Sequence, residues 1–353
     1  MSELHPLADR YLDALYELPD ELRVRRGLED ELAAHMTGGH HACIRGFWRI
    51  GKTTLMKGVL QRACERTGGA AFTLDLRDPD RDDGLPQSPE VVLNRVAAKV
   101  NDFLGRVGAK ELKADPKQPL AVLGELAAPL FVGFDELIAL HGLGTDKARA
   151  VIDALLNAPK NVKVCVVCHR HRDMDALFES DVVARPGVAT VMGPPVTDDE
   201  LVTLVQTPAQ SLGVTFSNEA LGALAEATGN RPWEVFTLCA LTASRLKPGF
   251  KGEVAPDAID ALLDLDVLSE SEEGRAVVET YLRVLVTAMN AEERTVMEML
   301  SAGKEGEATE DALARLEAAG WVVTSEEGSA VNGDLMDGIA RAVAEGVIKV
   351  SLQ

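Results

Sequence analysis

Gly46-Phe47-Trp48-Arg49-Ile50-Gly51-Lys52-Thr53 reads G-x-x-x-x-G-K-T, and it decides the fold. Glycines near both ends let the backbone curl until consecutive N–H groups point inward, a concavity suited to phosphate oxygens. A following helix adds the positive end of its dipole. The flanks meet that requirement: His41 to Arg45 is a strand candidate, and Lys52 to Arg66 has helical spacing. In such a loop Lys52 bridges the β- and γ-phosphates, and the Thr53 hydroxyl sits on Mg²⁺. Residues 46–53, with Thr54 behind them, are the candidate nucleotide-binding set.

Further short apolar runs follow at Ala71–Leu76, Pro129–Phe134, Asn161–Cys168 and Val188–Met192, with helical patterns such as Pro89–Val107 between them. Continuous apolar strands alternating with helices are what a parallel sheet covered on both faces requires. The run Pro129–Phe134 ends in Asp135-Glu136. Ligands of parallel sheets bind outside the carboxyl ends of the strands. These acids are therefore expected to share a crevice with the phosphate loop. Asp135 would hold Mg²⁺ through water, and Glu136 would orient or deprotonate the attacking water.

After Gly193-Pro-Pro195 the strands are expected to stop. Helical periodicity runs through Asp198–Val205, Ser217–Thr228, Pro232–Leu246 and Pro256–Leu268. From Ser269 the pattern is three helices, two short strands around Glu326-Glu-Gly-Ser329, and a last helix: the order of a winged helix. The division expected is 1–195, 196–268 and 269–353.

Acids outnumber Lys plus Arg by 56 to 36, a net charge of −20. That opposes non-specific attachment to nucleic acid or an anionic membrane. The last 85 residues carry 17 acids against 7 Lys and Arg, and the third helix there, Thr309–Ala319, holds three acids and one arginine. DNA binding by this module is disfavoured, and a protein partner is expected instead. With no long apolar stretch and no basic, apolar leader at the start, the expectation is a cytoplasmic protein. Its five cysteines are then reduced thiols. Cys165-Val-Val-Cys168-His169 spells a haem-attachment pattern, but the two thiols fall on opposite faces of a buried strand, and we read them as small apolar residues. His40-His41 is read as surface.

The chain resembles the STAND-type P-loop ATPases and the similar archaeal-type AAA ATPases. The texts that carry this are Arg26-Gly-Leu-Glu-Asp-Glu-Leu32, the Arg49-Ile50-Gly51-Lys52-Thr53 run, Phe72-Thr-Leu-Asp75-Leu-Arg77, Val191 to Leu201, and Thr228-Gly-Asn-Arg-Pro232. The resemblance implies an α/β P-loop NTPase core, an all-helical lid and a winged-helix domain. It implies bound ATP or ADP with Mg²⁺, and Pro232 packed near the adenine. Nucleotide state would switch lid and core geometry to control self-association or a protein partner. His169 stands where the family has a small polar sensor, and would contact the γ-phosphate. Trp48 stands where a second arginine is frequent. Arg170, Arg172 or Arg185 could reach a neighbouring subunit's nucleotide, although solvation at the surface is the simpler role for each. Two other function classes compete: an AAA-type ATPase acting on DNA as initiator, loader or transposition accessory, and a non-hydrolysing interaction protein.

Overall fold

The computed structural model describes residues 5–345 apart from 17, 47–48, 172–173, 194, 304–308, 320 and 326–327. Phe47, Trp48, Arg172 and the wing turn at 326–327 thus lie outside the described residues. The chain divides into two compact units. One comprises Arg26–Gly46 and Lys52–Met192; the other comprises Met1–Arg25, Phe47–Gly51 and Gly193–Gln353.

Helix α1 (Pro6–Tyr16) belongs to the second unit. The first unit then runs α2 (Arg26–Thr37), β1 (His41–Gly46), α3 (Lys52–Thr67), β2 (Ala70–Asp75), α4 (Pro89–Arg106), β3 (Leu130–Asp135), α5 (Thr145–Leu156), β4 (Val162–His169), α6 (Asp175–Phe178) and β5 (Val188–Met192). All five strands pair in parallel, in the order β2-β3-β4-β1-β5. Every residue of β3 is buried, as a central strand covered on both faces must be. One face packs Ile44, Phe131, Cys165 and Val167 against Leu32 and Met36 of α2 and Val59 and Leu60 of α3. The other packs Val132, Phe134, Val166 and Cys168 against Val96 and Val100 of α4 and Val151 of α5. Cys165 and Cys168 therefore lie in opposite cores, as their spacing predicts.

At Gly133 the approach of α3 is close. A Cβ there would meet Met56 Sδ at 2.8 Å and Leu60 Cδ1 at 2.9 Å. Its missing side chain lets α3 lie directly on β3. Ser88 and Pro89 start α4 in the ordinary way: the hydroxyl accepts from the Val91 N–H and proline takes a position with no helical N–H to satisfy. His41 corrects the surface reading. It is half-buried, and its Nδ1 accepts a 2.9 Å hydrogen bond from the Val164 N–H of β4, while His40 is exposed.

The second unit continues with α7 (Asp198–Gln210), β6 (Val214–Phe216), α8 (Asn218–Thr228), α9 (Pro232–Ser244), β7 (Gly252–Val254), α10 (Asp257–Asp260), α11 (Leu265–Leu268), α12 (Glu272–Arg283), α13 (Ala291–Ser301), α14 (Glu310–Ala318), β8 (Val322–Ser325), β9 (Gly328–Val331) and α15 (Asp334–Ala344). Two expectations are corrected. Strands do not stop at residue 195, because β6 and β7 pair in parallel; the segment is not all-helical. Nor is 256–268 one helix: the Asp264 carboxylate accepts from the N–H groups of Asp266 and Val267 and starts a new turn there. The C-terminal part has three helices, an antiparallel β8–β9 hairpin and a closing helix, the order read from the sequence. Helix α1 packs on α9. Its Tyr11 hydroxyl donates to the Val205 carbonyl at 2.7 Å, and its ring meets Phe216 and Phe236.

A Cβ at Gly274, in the first turn of α12, would fall 1.9 Å from the Leu268 carbonyl oxygen. Backbone cannot yield as a side-chain tip can. Gly274→Ala should lower stability by about 2–3 kcal/mol, within the upper range for overpacking, measured by urea unfolding. A loss below about 0.5 kcal/mol, the ordinary scatter of surface substitutions, would contradict this packing.

Candidate functional site

The chemistry-bearing residues of the first unit gather at the carboxyl ends of its strands. Registers β2–β3 and β1–β4 align Asp75 with Asp135 and Gly46 with His169. Lys52 and Thr53 open α3, so their backbone N–H groups are among the four that a helix leaves unbonded. Lys52 is 3% exposed. The Thr53 hydroxyl lies beside the Asp135 carboxylate and favours its charged form. Glu136 has a left-handed backbone, φ +55°, and its carboxylate lies 3.1 Å from His169 Nε2. Its N–H donates to the Asp135 carboxylate at 2.9 Å.

Burial pushes the Asp135 carboxyl up, the Thr53 hydroxyl pulls it down, and the neighbouring Glu136 and Asp75 charges leave it raised. Burial also raises Glu136, but the hydrogen bond from His169 and the cations Arg77 and Lys52 outweigh it and hold that carboxyl below its ordinary range. Burial, then the Lys52 charge, press the His169 imidazole down to about 4. His169 is therefore neutral at pH 7 and donates through Nε2–H, while Glu136 stays ionised. Such a carboxylate can accept a proton. A cation beside Thr53 and Asp135 would find hard oxygen donors, the kind Mg²⁺ takes with phosphate and water. Among the described residues no group of three or more His, Cys, Asp or Glu could hold a metal ion. Mg²⁺ here would thus depend on phosphate oxygens for much of its shell.

The sequence reading missed Arg77 as a member of this cluster, treating Asp75-Leu76-Arg77 only as a strand end. Arg77 Nε bonds the Asp75 carboxylate at 3.0 Å, and Arg95 caps the Asp75 carbonyl at 3.0 Å. Arg170 and Arg185 are held within the chain rather than presented to solvent. Arg170 is 7% exposed, pairs with Asp175 and donates its N–H to the Gly46 carbonyl; Arg185 pairs with Asp153 at 2.8 Å. Arg45 joins the same group through Asp175 and Glu179.

The described loop residues Arg49, Ile50 and Gly51 cluster with the second unit. Gly46, Arg49 and Gly51 all have positive φ, +153°, +63° and +85°. Glycine adopts this freely, whereas arginine is strained there by about 1–2 kcal/mol. The Arg25 guanidinium donates to the Ile50 carbonyl at 2.6 Å, and the Arg49 guanidinium lies 4.9 Å above the Trp233 ring. Pro232 begins α9, after Gly229 and Asn230 both turn left-handed.

The five-stranded parallel order, the loop between β1 and α3, and Asp135 at the end of β3 settle the architecture. The chain has a P-loop NTPase fold. Solved structures of similar fold include the Walker-type ATPase PABY2304 of Pyrococcus abyssi. That one is 16% identical over 88% of this chain and 95% of its own, with a TM-score of 0.54. The Orc1 protein of Aeropyrum pernix, solved in complex with DNA, is 15% identical over 94% and 96%, with a TM-score of 0.46. The RuvB Holliday junction branch migration motor of Thermotoga maritima is 17% identical over 93% and 96%, also at 0.46. No protein-family model and no curated protein matches the chain. No helix among the described residues is long and apolar enough to cross a membrane.

The two neutral imidazoles of this P-loop unit make its stability pH-dependent. Burial, with Lys163 and Arg185 nearby, presses His41 down to about 4 as well. A group whose folded pKa lies below its unfolded value of about 6.5 stabilises fully above that value. The contribution is lost as pH falls toward 4. For the buried His169 this amounts to roughly 2 kcal/mol by pH 5; the more exposed His41 contributes less. Hydrogen exchange of β1 and β4 amides, corrected for intrinsic rates, should show protection falling between pH 7 and 5, and His169→Gln with His41→Gln should flatten that slope. An unchanged slope in the double variant would refute it.

Proposed function

We propose that this chain is a Mg²⁺-dependent, ATP-binding regulatory ATPase. The observation that carries the reading is the joined set Lys52, Thr53, Asp135, Glu136 and His169: a buried ammonium at a helix start, a hydroxyl beside one carboxylate, and a second, ionised carboxylate held by a neutral imidazole. Residues 46–54 would bind the phosphates, with Pro232 at the base. Thr53 and Asp135 would hold Mg²⁺, which supplies charge neutralisation on the phosphates. Lys52 would neutralise the β- and γ-phosphates, and Glu136 would accept a proton from, or orient, the attacking water.

The finer reading is of the STAND kind. Residues 1–195, 196–268 and 269–353 would act as core, lid and winged helix, with α1 of the first span packed on α9 of the second, and ATP against ADP would control self-association or a protein partner. A ligand shifts such an equilibrium only through contacts that differ between states, and the γ-phosphate supplies them. Action on DNA is the less supported reading. Arg315, the one basic residue of α14, is engaged by Glu292 and Glu293 at 2.9 Å each, so it is not offered to a phosphate backbone. Calorimetry with MgATP and MgADP, followed by phosphate-release assays with and without duplex DNA, tests the proposal. No heat with either nucleotide would overturn it. Salt-sensitive, ATP-dependent DNA binding would favour the DNA reading.

A further inference from the structure

Arg49 raises a question that the nucleotide reading leaves unanswered. It is a non-glycine residue in left-handed conformation, in the middle of the loop that must present its N–H groups to phosphate. Such a conformation persists only where surrounding contacts over-determine it. Two contacts do so, both from outside the loop. The Arg25 guanidinium, buried and lowered to about 10 by that burial, binds the Ile50 carbonyl at 2.6 Å. The Trp233 indole lies under the Arg49 guanidinium at 4.9 Å, within cation–π range.

Trp233 is itself fixed on both sides. Arg231, 2% exposed, donates to the Tyr281 hydroxyl at 2.8 Å and to the Asn332 carbonyl at 3.0 Å, and lies 4.3 Å over the Trp321 ring. Glu234, 1% exposed, faces the same guanidinium at 3.5 Å. The first turn of α9 therefore cannot rotate to withdraw the indole without disrupting two buried charged groups.

We propose that Trp233 is a positioning residue for the phosphate loop: its indole face holds Arg49 and, with Arg25 on the Ile50 carbonyl, fixes the left-handed turn that aims the Arg49, Ile50 and Gly51 amides at a nucleotide's phosphates. This rests on the nucleotide-binding reading above, and it assigns affinity to a residue that touches no phosphate. Alignment of N–H donors before binding removes an ordering cost from binding itself.

The test separates the contact from the nucleotide. The protein is labelled with 5-fluorotryptophan; its three indole resonances are assigned by single Phe substitutions. In the absence of nucleotide, Arg49→Ala should move the Trp233 resonance and leave that of Trp321 in place. MgATP is then titrated into Arg49→Ala, Trp233→Ala, the double variant and Trp233→Phe, with thermal midpoints alongside. Each alanine variant should weaken MgATP by about fivefold, the scale of an exposed cation–π contact. The double variant should be no weaker than either single one, and Trp233→Phe should retain most of the affinity. A Trp233 resonance indifferent to Arg49→Ala, or single losses that multiply in the double variant, overturns the proposal. Absence of MgATP binding by the wild type overturns the nucleotide reading instead, and the fluorine shift still decides the contact.

Discussion

Lys52→Ala should abolish MgATP binding, at least a hundredfold, while Glu136→Gln should keep the binding and lose hydrolysis by a similar or larger factor. The two effects separate because the two side chains act at different stages. The Lys52 ammonium is buried at the start of α3, and its charge is felt by both Glu136 and His169. Replacing it removes the positive charge meant for the phosphates, where an ion pair in a low-dielectric site contributes several kcal/mol. Glu136→Gln is nearly isosteric and can still accept from His169 Nε2–H. It loses only basicity, and a positioned general base contributes about 10²–10⁴ in rate. Calorimetry measures the first and single-turnover phosphate release the second. Wild-type hydrolysis by Glu136→Gln would remove the base role, and undiminished binding by Lys52→Ala would remove the phosphate site.

The second large effect is on stability. Arg231→Ala should cost about 3–5 kcal/mol, the penalty for removing one partner of a buried ion pair. The Tyr281 hydroxyl and Asn332 carbonyl would lose their donor, and two aromatic rings their cation. Glu234 would remain buried without its counter-charge. Burial has already raised its carboxyl to about 7 against the pull of Arg231. The acid would respond by taking up a proton, so Arg231→Ala with Glu234→Gln should recover part of the loss. Urea unfolding of the single and double variants checks this. A single-variant loss under about 1 kcal/mol, the level of an exposed pair, would mean that Arg231 is not the anchor its burial indicates.

The sheet and the loop between β1 and α3 were legible in the sequence because their signals are local. A buried parallel strand writes itself as an apolar run, and Gly46 to Thr53 must be adjacent in the chain to curl. The parallel pair β6–β7 escaped because each strand is three residues long and its partner lies more than thirty residues away. Asp264 did carry a signal, a capping residue inside a helical pattern, which periodicity alone overrode. Arg77 was visible but could be placed beside Asp135 and Glu136 only once strand order was known. His41 misled because polarity suggests surface, whereas an imidazole can serve as acceptor for a strand amide. The Arg231 network joins residues fifty and a hundred positions apart, and no spacing rule connects them.

The bare backbone at Gly133 ties the start of α3 to the interior. Met56 and Leu60 rest where a side chain would otherwise stand, and the same helix delivers Lys52 and Thr53 to Asp135. Enlarging either of those two hydrophobic neighbours would lift the helix from the strand and shift Lys52 and Thr53 against Asp135. The placement of Lys52 and Thr53 is thereby set partly by buried residues, and it should drift under selection at positions that a surface map of the molecule would not show.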